Sequence, residues 1–171
     1  MTATDDEAEK PAITLRPVDR GNYFRVMRLA VTPEQAGFLG FGTSAYPNEF
    51  ALAEAAYVPG FTPRAVYHRD EPVGLIVWGP YHARYNFQEP PLPGTWMLDH
   101  VMIAREHQGR GLGARAIAAA LEEIRAQPGC RRIVLSYDRN NPGVAPLYAR
   151  FGFRPCGTDH EGSPMMELLA D

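Results

Sequence analysis

The chain has 171 residues, 45% apolar and 22% charged, which suits one globular domain that buries its core without staples and excludes a disordered chain. Its formal charge of −3 is accounted for by residues 1–10, where Asp5, Asp6, Glu7 and Glu9 stand against Lys10. The rest holds 16 acidic and 16 basic side chains, a balance that excludes a general nucleic-acid binder with a strongly basic surface.

In chain order, residues 1–11 read as a disordered acidic tail and residues 12–171 as a single domain. Ile13-Thr14-Leu15-Arg16 alternates like a short strand, which Pro17 ends. Asp19 can cap a helix through about Ala30, with Tyr23, Val26, Met27 and Ala30 at helical spacing. Residues 32–47, with Pro33, Gly37, Gly40, Gly42 and Pro47, predict a loop or broken helix. Asn48 to Tyr57 suits a second helix, closed by Pro59-Gly60. Arg64 to His68 and Val73 to Gly79 flank a turn and predict a β-hairpin. A polar and aromatic connection over 80–94 leads into a strand over Thr95 to Ile103. Strict alternation there puts Val101 and Ile103 on one face with Asp99, and His100 on the other. Leu112 to Ala126 is the clearest helix, striped by Ile117, Leu121 and Ile124 and stopped by Pro128-Gly129. A strand over Arg132 to Tyr137, a short helix over Pro142 to Phe151 and strands at 153–157 and 165–169 complete the chain.

No apolar run approaches the roughly 20 residues of a membrane-spanning helix. The acidic start lacks the basic and apolar stretches of a signal peptide. Cys130 and Cys156 lack metal-ligand spacing and read as free core thiols. A cytoplasmic protein with no metal, no membrane and no nucleic-acid partner is expected.

The informative stretch runs from Val101 to Gly113, a strand entering a helix through a glycine-rich turn. Gly109, Gly111 and Gly113 permit backbone angles and close approaches that a Cβ would block. The first amides of the helix have no internal partner, and with the helix dipole they favour an anion. Arg105, Arg110 and Arg115 against Glu106 give residues 105–115 a balance of +2. This predicts a pyrophosphate site. Gly109 to Ala114 also satisfies G-x-G-x-x-G/A, the dinucleotide fingerprint. A dinucleotide fold, however, opens with this turn and needs several more βα units, and here only about 60 residues remain.

Gln108-Gly109-Arg110-Gly111-Leu112-Gly113 resembles the Q/R-x-x-G-x-G/A signature of the GNAT N-acetyltransferase superfamily. Asn141 through Tyr148 to Gly152-Phe153 resembles its second signature. Within the superfamily, Met102-Ile103, His107-Gln108-Gly109 and Leu135-Ser136-Tyr137 look most like bacterial spermine/spermidine acetyltransferases. The resemblance covers about residues 12–169. It implies an α/β GNAT fold: a mixed, mostly antiparallel sheet with helices on both faces and two central parallel strands splayed for the cofactor.

It further implies an enzyme that carries the acetyl group of acetyl-CoA to a primary amine by direct attack. Val101, Met102 and Ile103 would pair with the pantetheine arm. Gln108, Gly109, Arg110, Gly111, Leu112, Gly113 and Ala114 would hold the pyrophosphate, and Asn141 would contact the cofactor arm. Asn141 also suits an Asx turn before Pro142. Tyr148 occupies the general-acid position, and Asp99 is a candidate base acting through water. Glu54 resembles the polyamine-enzyme pattern for substrate binding. Further carboxylates and rings in the first half, Glu34, Glu49, Glu89, Tyr46, Tyr81 and Tyr85, suit a cationic acceptor. His82 stays a second candidate base. The acceptor remains open between a polyamine, a protein amine and an antibiotic amine, as do a homodimer, a non-catalytic acyl-CoA-binding module and a dinucleotide enzyme.

Overall fold

The computed structural model describes residues 12–39 and 48–170. The acidic tail, and Gly40, Gly42, Tyr46 and Pro47, lie outside the described residues. The strands are β1 (Ile13–Pro17), β2 (Thr62–His68), β3 (Glu71–Pro80), β4 (Thr95–Ile103), β5 (Arg132–Ser136), β6 (Arg154–Thr158) and β7 (Pro164–Leu169). The helices are α1 (Tyr23–Met27), α2 (Pro33–Ala36), α3 (Asn48–Tyr57), α4 (Leu112–Arg125) and α5 (Val144–Ala149).

One sheet takes the order β1-β2-β3-β4-β5-β7-β6, antiparallel throughout except for β4 beside β5. Near-continuous apolar sequence in β3 fits burial on both faces, and Val73 to Trp78 are buried. On one face lie α4 and α5. The α4 stripe of Leu112, Ala116, Ile117, Ala120, Leu121 and Ile124 packs there with Ile76, Leu98, Ile103, Ile133 and Leu135. Each buried Leu or Ile contributes about 1.5–3 kcal/mol. On the other face, Val26 of α1 and Ala51 of α3 meet Leu75, Val77, Met97 and Met102. The α/β reading, with helices on both faces, holds.

The N-terminal helix is shorter than expected. Asp19 closes a turn instead of capping a long helix: its Oδ1 accepts from the Gly21 amide at 2.7 Å. Asn22 accepts from the Asp19 amide and donates to the Pro17 carbonyl. These side chains compete with the first helical turn, and α1 begins only at Tyr23. Thr32 and Gln35 form a capping box for α2 inside the stretch read as loop or broken helix.

Two irregularities of β4 matter for function. Trp78 pairs with Leu98 but Val77 pairs with His100, so Asp99 is the extra residue of a β-bulge. The expected alternation is therefore broken. Asp99 and His100 both meet α3, through Glu54 and Asn48, while Val101 and Ile103 pack with the α4 side. The second irregularity is the short parallel ladder, which joins Thr95–Met97 to Arg132–Val134 and stops. Beyond it the two strands splay.

Candidate active site

The gap between the strands opens into a cavity of about 530 Å³. Leu98 to Val101 line it from β4, and Leu135 and Ser136 from β5. The Ala104 amide donates to the Val73 carbonyl at 2.8 Å. Alternation of an antiparallel ladder then turns the backbone groups of Met102 toward β3 and those of Val101 and Ile103 away from it, toward the splay. Val101 and Ile103 are thus the residues turned toward the gap, with the Ile103 carbonyl already accepting from Gln108 Nε2.

The glycine-rich loop follows directly. A 3-10 turn over Arg105–His107 leads to Gly109 and Gly111, whose φ values of 74° and 72° favour glycine. A Cβ at either would meet nothing within 4 Å, so the demand is conformational. Gly111 is the N-cap of α4 and has no side chain to satisfy the first amides, and no acidic residue stands in the first turn. Those amides, with Gly113 and Ala114 partly exposed beside them, are open to an anion. Leu112 turns its side chain into the core, leaving only its backbone for the loop.

Gln108 has a supporting position. Its Nε2 donates to the Ile103 carbonyl at 2.8 Å, and its amide exchanges hydrogen bonds with Gln35. The Arg105 amide donates to the Ala30 carbonyl, tying the loop to the N-terminal segment. Arg105 pairs with Glu106 at 2.7 Å, while Arg110 and Arg115 have no ion-pair partner among the described residues. Two cations are thus uncommitted at the helix start.

At the other end of the gap, Asp99 meets Glu54 of α3, carboxyl to carboxyl. Burial, then the charge of Glu54 and the bond to it, push Asp99 up to about 8. Glu54 is also raised, chiefly by burial. His100 donates or accepts through Nε2 at 2.9 Å from Asn48 Oδ1, and Asn48 donates to the Val26 carbonyl at 2.8 Å. Burial lowers His100 to about 4, so it is neutral at pH 7 and must be the donor to that oxygen.

Tyr148 lies on α5, buried against Phe153 at 5.5 Å between ring centres, and lines the cavity. Burial raises its hydroxyl above the ordinary tyrosine range, which keeps it protonated. Asn141 lines the cavity too, and its Oδ1 accepts from the Gly143 amide at 3.3 Å, so the Asx turn and the site position coexist. His82 falls outside the cavity lining. Its Nδ1 bonds the Glu89 carbonyl and its ring packs on Phe87 within the 80–94 connection.

Sequence reading named Tyr85 among the rings suited to a cation but missed other lining residues. Tyr85 comes from a 3-10 turn in the connection, and its hydroxyl lies 3.2 Å from Ser136 Oγ. Its ring is 5.7 Å from that of His160, in the turn between β6 and β7. Asp159 and Glu161 flank His160 and also line the cavity, as does Asp138 after β5. No lysine or arginine lines it among the described residues. These groups stand far apart in sequence, and no short motif announces them. Among the described residues, no group of three His, Cys, Asp or Glu could hold a metal ion, and no helix is long and apolar enough to cross a membrane.

Known proteins share the family and the fold of this chain. A model of the acetyltransferase (GNAT) family matches residues 35–153. The chain is 26% identical over 156 residues to a spermine/spermidine N(1)-acetyltransferase of Bacillus subtilis (strain 168), covering 91% of this chain and 97% of that protein. Among solved structures, a spermidine N-acetyltransferase from Vibrio cholerae in complex with CoA and spermine superposes with TM-score 0.70 at 18% identity, over 92% of this chain and 95% of that one. An aminoglycoside acetyltransferase in complex with coenzyme A and kanamycin does so with TM-score 0.74 at 20% identity, over the same shares.

Proposed function

The chain belongs to the GNAT acetyltransferase family and is an acetyl-CoA-dependent acetyltransferase, and from that premise we propose that its acceptor is a small amine carrying more than one positive charge. The observation that carries this reading is the cavity itself. It joins the gap in the sheet to the Glu54–Asp99 pair, adds Asp138, Asp159 and Glu161, and includes no lysine or arginine among the described residues. Tyr85 and His160 add ring surface suited to a cationic chain. The names of the relatives, which act on spermine or spermidine, support a polyamine.

The donor would lie along the splayed edge of β4, with Val101 and Ile103 offering backbone groups and its pyrophosphate over residues 109–114. Gln108 and Gln35 brace that loop. Arg110 and Arg115 add positive charge. Asn141 borders the same channel.

Transfer needs two proton movements. An ammonium near pKa 10.4 must lose a proton, and passing it to an ordinary carboxylate near 3.9 would cost about 9 kcal/mol. Asp99, pushed up to about 8, reduces the gap to roughly 3 kcal/mol. The departing thiolate needs a proton, and Tyr148, held protonated by burial, supplies it as general acid. The proton that the attacking nitrogen loses next restores Tyr148. His100 is the poorer base, since burial lowers it to about 4, so that it holds a proton no better than an ordinary carboxylate, and its Nε2 hydrogen is committed to Asn48.

The enzyme is read as cytoplasmic, acting on a free small molecule. A free-thiol release assay over polyamines, amino acids, aminoglycosides and peptides tests the reading. Polyamines should give the highest kcat/KM; preference for a singly charged amine or a peptide would overturn the assignment.

A further inference from the structure

The site holds two carboxyl groups where the mechanism uses one. Glu54, on the third helix, meets Asp99 at the bulge of β4, and both carboxyl groups line the same cavity. Two carboxylates cannot hydrogen-bond to each other unless one carries a proton. No cation compensates them: no lysine or arginine lines the cavity among the described residues, and neighbouring His100 is neutral and bonded to Asn48. The other titratable groups on the cavity wall are Tyr85 from the 80–94 connection, Tyr137 and Asp138 after β5, Tyr148 from α5, and Asp159, His160 and Glu161 from the β6–β7 turn. Tyr85 is itself raised by burial and by Asp99, so it stays neutral. The bulge is essential to the arrangement. Regular alternation would turn Asp99 and His100 to opposite faces, and the helix could not reach both.

We propose that Glu54 and Asp99 act as one carboxyl pair, which holds a single proton between them when the site is empty and surrenders it to solvent when a substrate ammonium enters. This rests on the amine-acetylation reading above and reassigns Glu54 from substrate contact to positioning residue for Asp99. The steps balance. Entry of the ammonium expels the shared proton, leaving two carboxylates beside one cation. The ammonium then passes a proton to Asp99, which restores the singly protonated pair and leaves a neutral amine beside the thioester. Of the three ammonium protons, one now rests on the pair in place of the one released to solvent, one leaves with the thiol by way of Tyr148, and one remains on the amide nitrogen. The pair thus begins and ends the proton transfer in the same state.

Infrared difference spectroscopy of the free protein tests the pair without any turnover. Wild type should show a protonated-carboxyl band that titrates near pH 8. Asp99→Asn should lose it, and Glu54→Gln should move its midpoint to lower pH by removing the like charge. Absence of a carboxyl titrating above pH 7 in wild type would overturn the pair, whatever the enzyme acetylates. A second arm uses spermine as probe. Calorimetry at pH 7 in buffers of different ionisation enthalpy should count close to one proton released per spermine bound, and clearly less for Glu54→Gln. In kinetics, the acid limb of kcat/KM should fall to lower pH in Glu54→Gln; an unmoved limb in that variant would reduce Glu54 to packing. If spermine is not acetylated while the infrared band is present, the substrate reading fails and the pair stands.

Discussion

The proposed donor side, at the glycine-rich loop, and the proposed acceptor side, in the cavity, are built by different means. On the donor side, residues 105–115 form one continuous segment, and its chemistry lies in backbone amides, two left-handed glycines and the start of α4. On the acceptor side, Glu54, Tyr85, Asp99 and His160 come from α3, the 80–94 connection, β4 and the β6–β7 turn. A phosphate can be recognised by local backbone geometry, which a short motif specifies. An amine is recognised by side chains gathered from across the fold, which no short motif can specify. Substrate range within such a fold is therefore set by separate elements that can change without disturbing the donor loop.

Tyr148 lines the cavity as the proposed general acid, and replacing it should separate chemistry from both kinds of binding. Tyr148→Phe should lower kcat by about 10²–10⁴ while acetyl-CoA affinity changes less than about twofold. Stopped-assay turnover and calorimetry check this, and unchanged turnover would remove Tyr148 from the reaction. Gly111→Glu should act on the donor side alone. A Cβ at φ 72° is strained and the new charge opposes an anion, so acetyl-CoA affinity should fall at least about 100-fold. The infrared band of the carboxyl pair should persist in the same variant. If it vanished, the two sides would not be independent.

Asn48→Ala should loosen the acceptor side. It strands the buried His100 ring and frees the Val26 carbonyl, at a cost of about 1–3 kcal/mol read from chemical denaturation. Asp159→Asn keeps the oxygen that accepts from the Glu161 and Ser163 amides but removes the charge. The KM for spermine should rise roughly two- to fivefold with kcat unchanged, the scale of a solvent-exposed charge.

The pH dependence of stability reports on the acceptor side as well. Asp99 is raised in the folded protein, so its contribution to stability is complete below the ordinary carboxylate range and is lost as pH rises toward 8. His100 is depressed, so its contribution is complete above about 6.5 and is lost as pH falls toward 4. Thermal melts should therefore weaken at both ends, and Asp99→Asn should flatten only the alkaline arm.

Much of the fold was legible because its signals are local. Thr95–Ile103 and Asn48–Tyr57 have the predicted bounds, and the start of α4 at Leu112 follows from Gly109 and Gly111. The misreadings share a cause: side chains or backbone that interrupt a periodic pattern. Asp19 and Asn22 close a turn where a helix pattern continues. The extra residue at Asp99 defeats a strict period of two, so its face was read wrongly. His160 was beyond reach because it meets Tyr85 only through tertiary folding.

The short ladder between β4 and β5 leaves unpaired backbone in the middle of a sheet, where a protein ordinarily has none. An exposed strand edge is a template for unwanted pairing and aggregation. Here β3 on one side and β7 on the other already occupy the outer flanks of the two strands. The unsatisfied edge is thus turned inward, out of reach of another protein's sheet. What remains is a slot shaped for an extended molecule able to hydrogen-bond in single file, the place proposed for the cofactor arm.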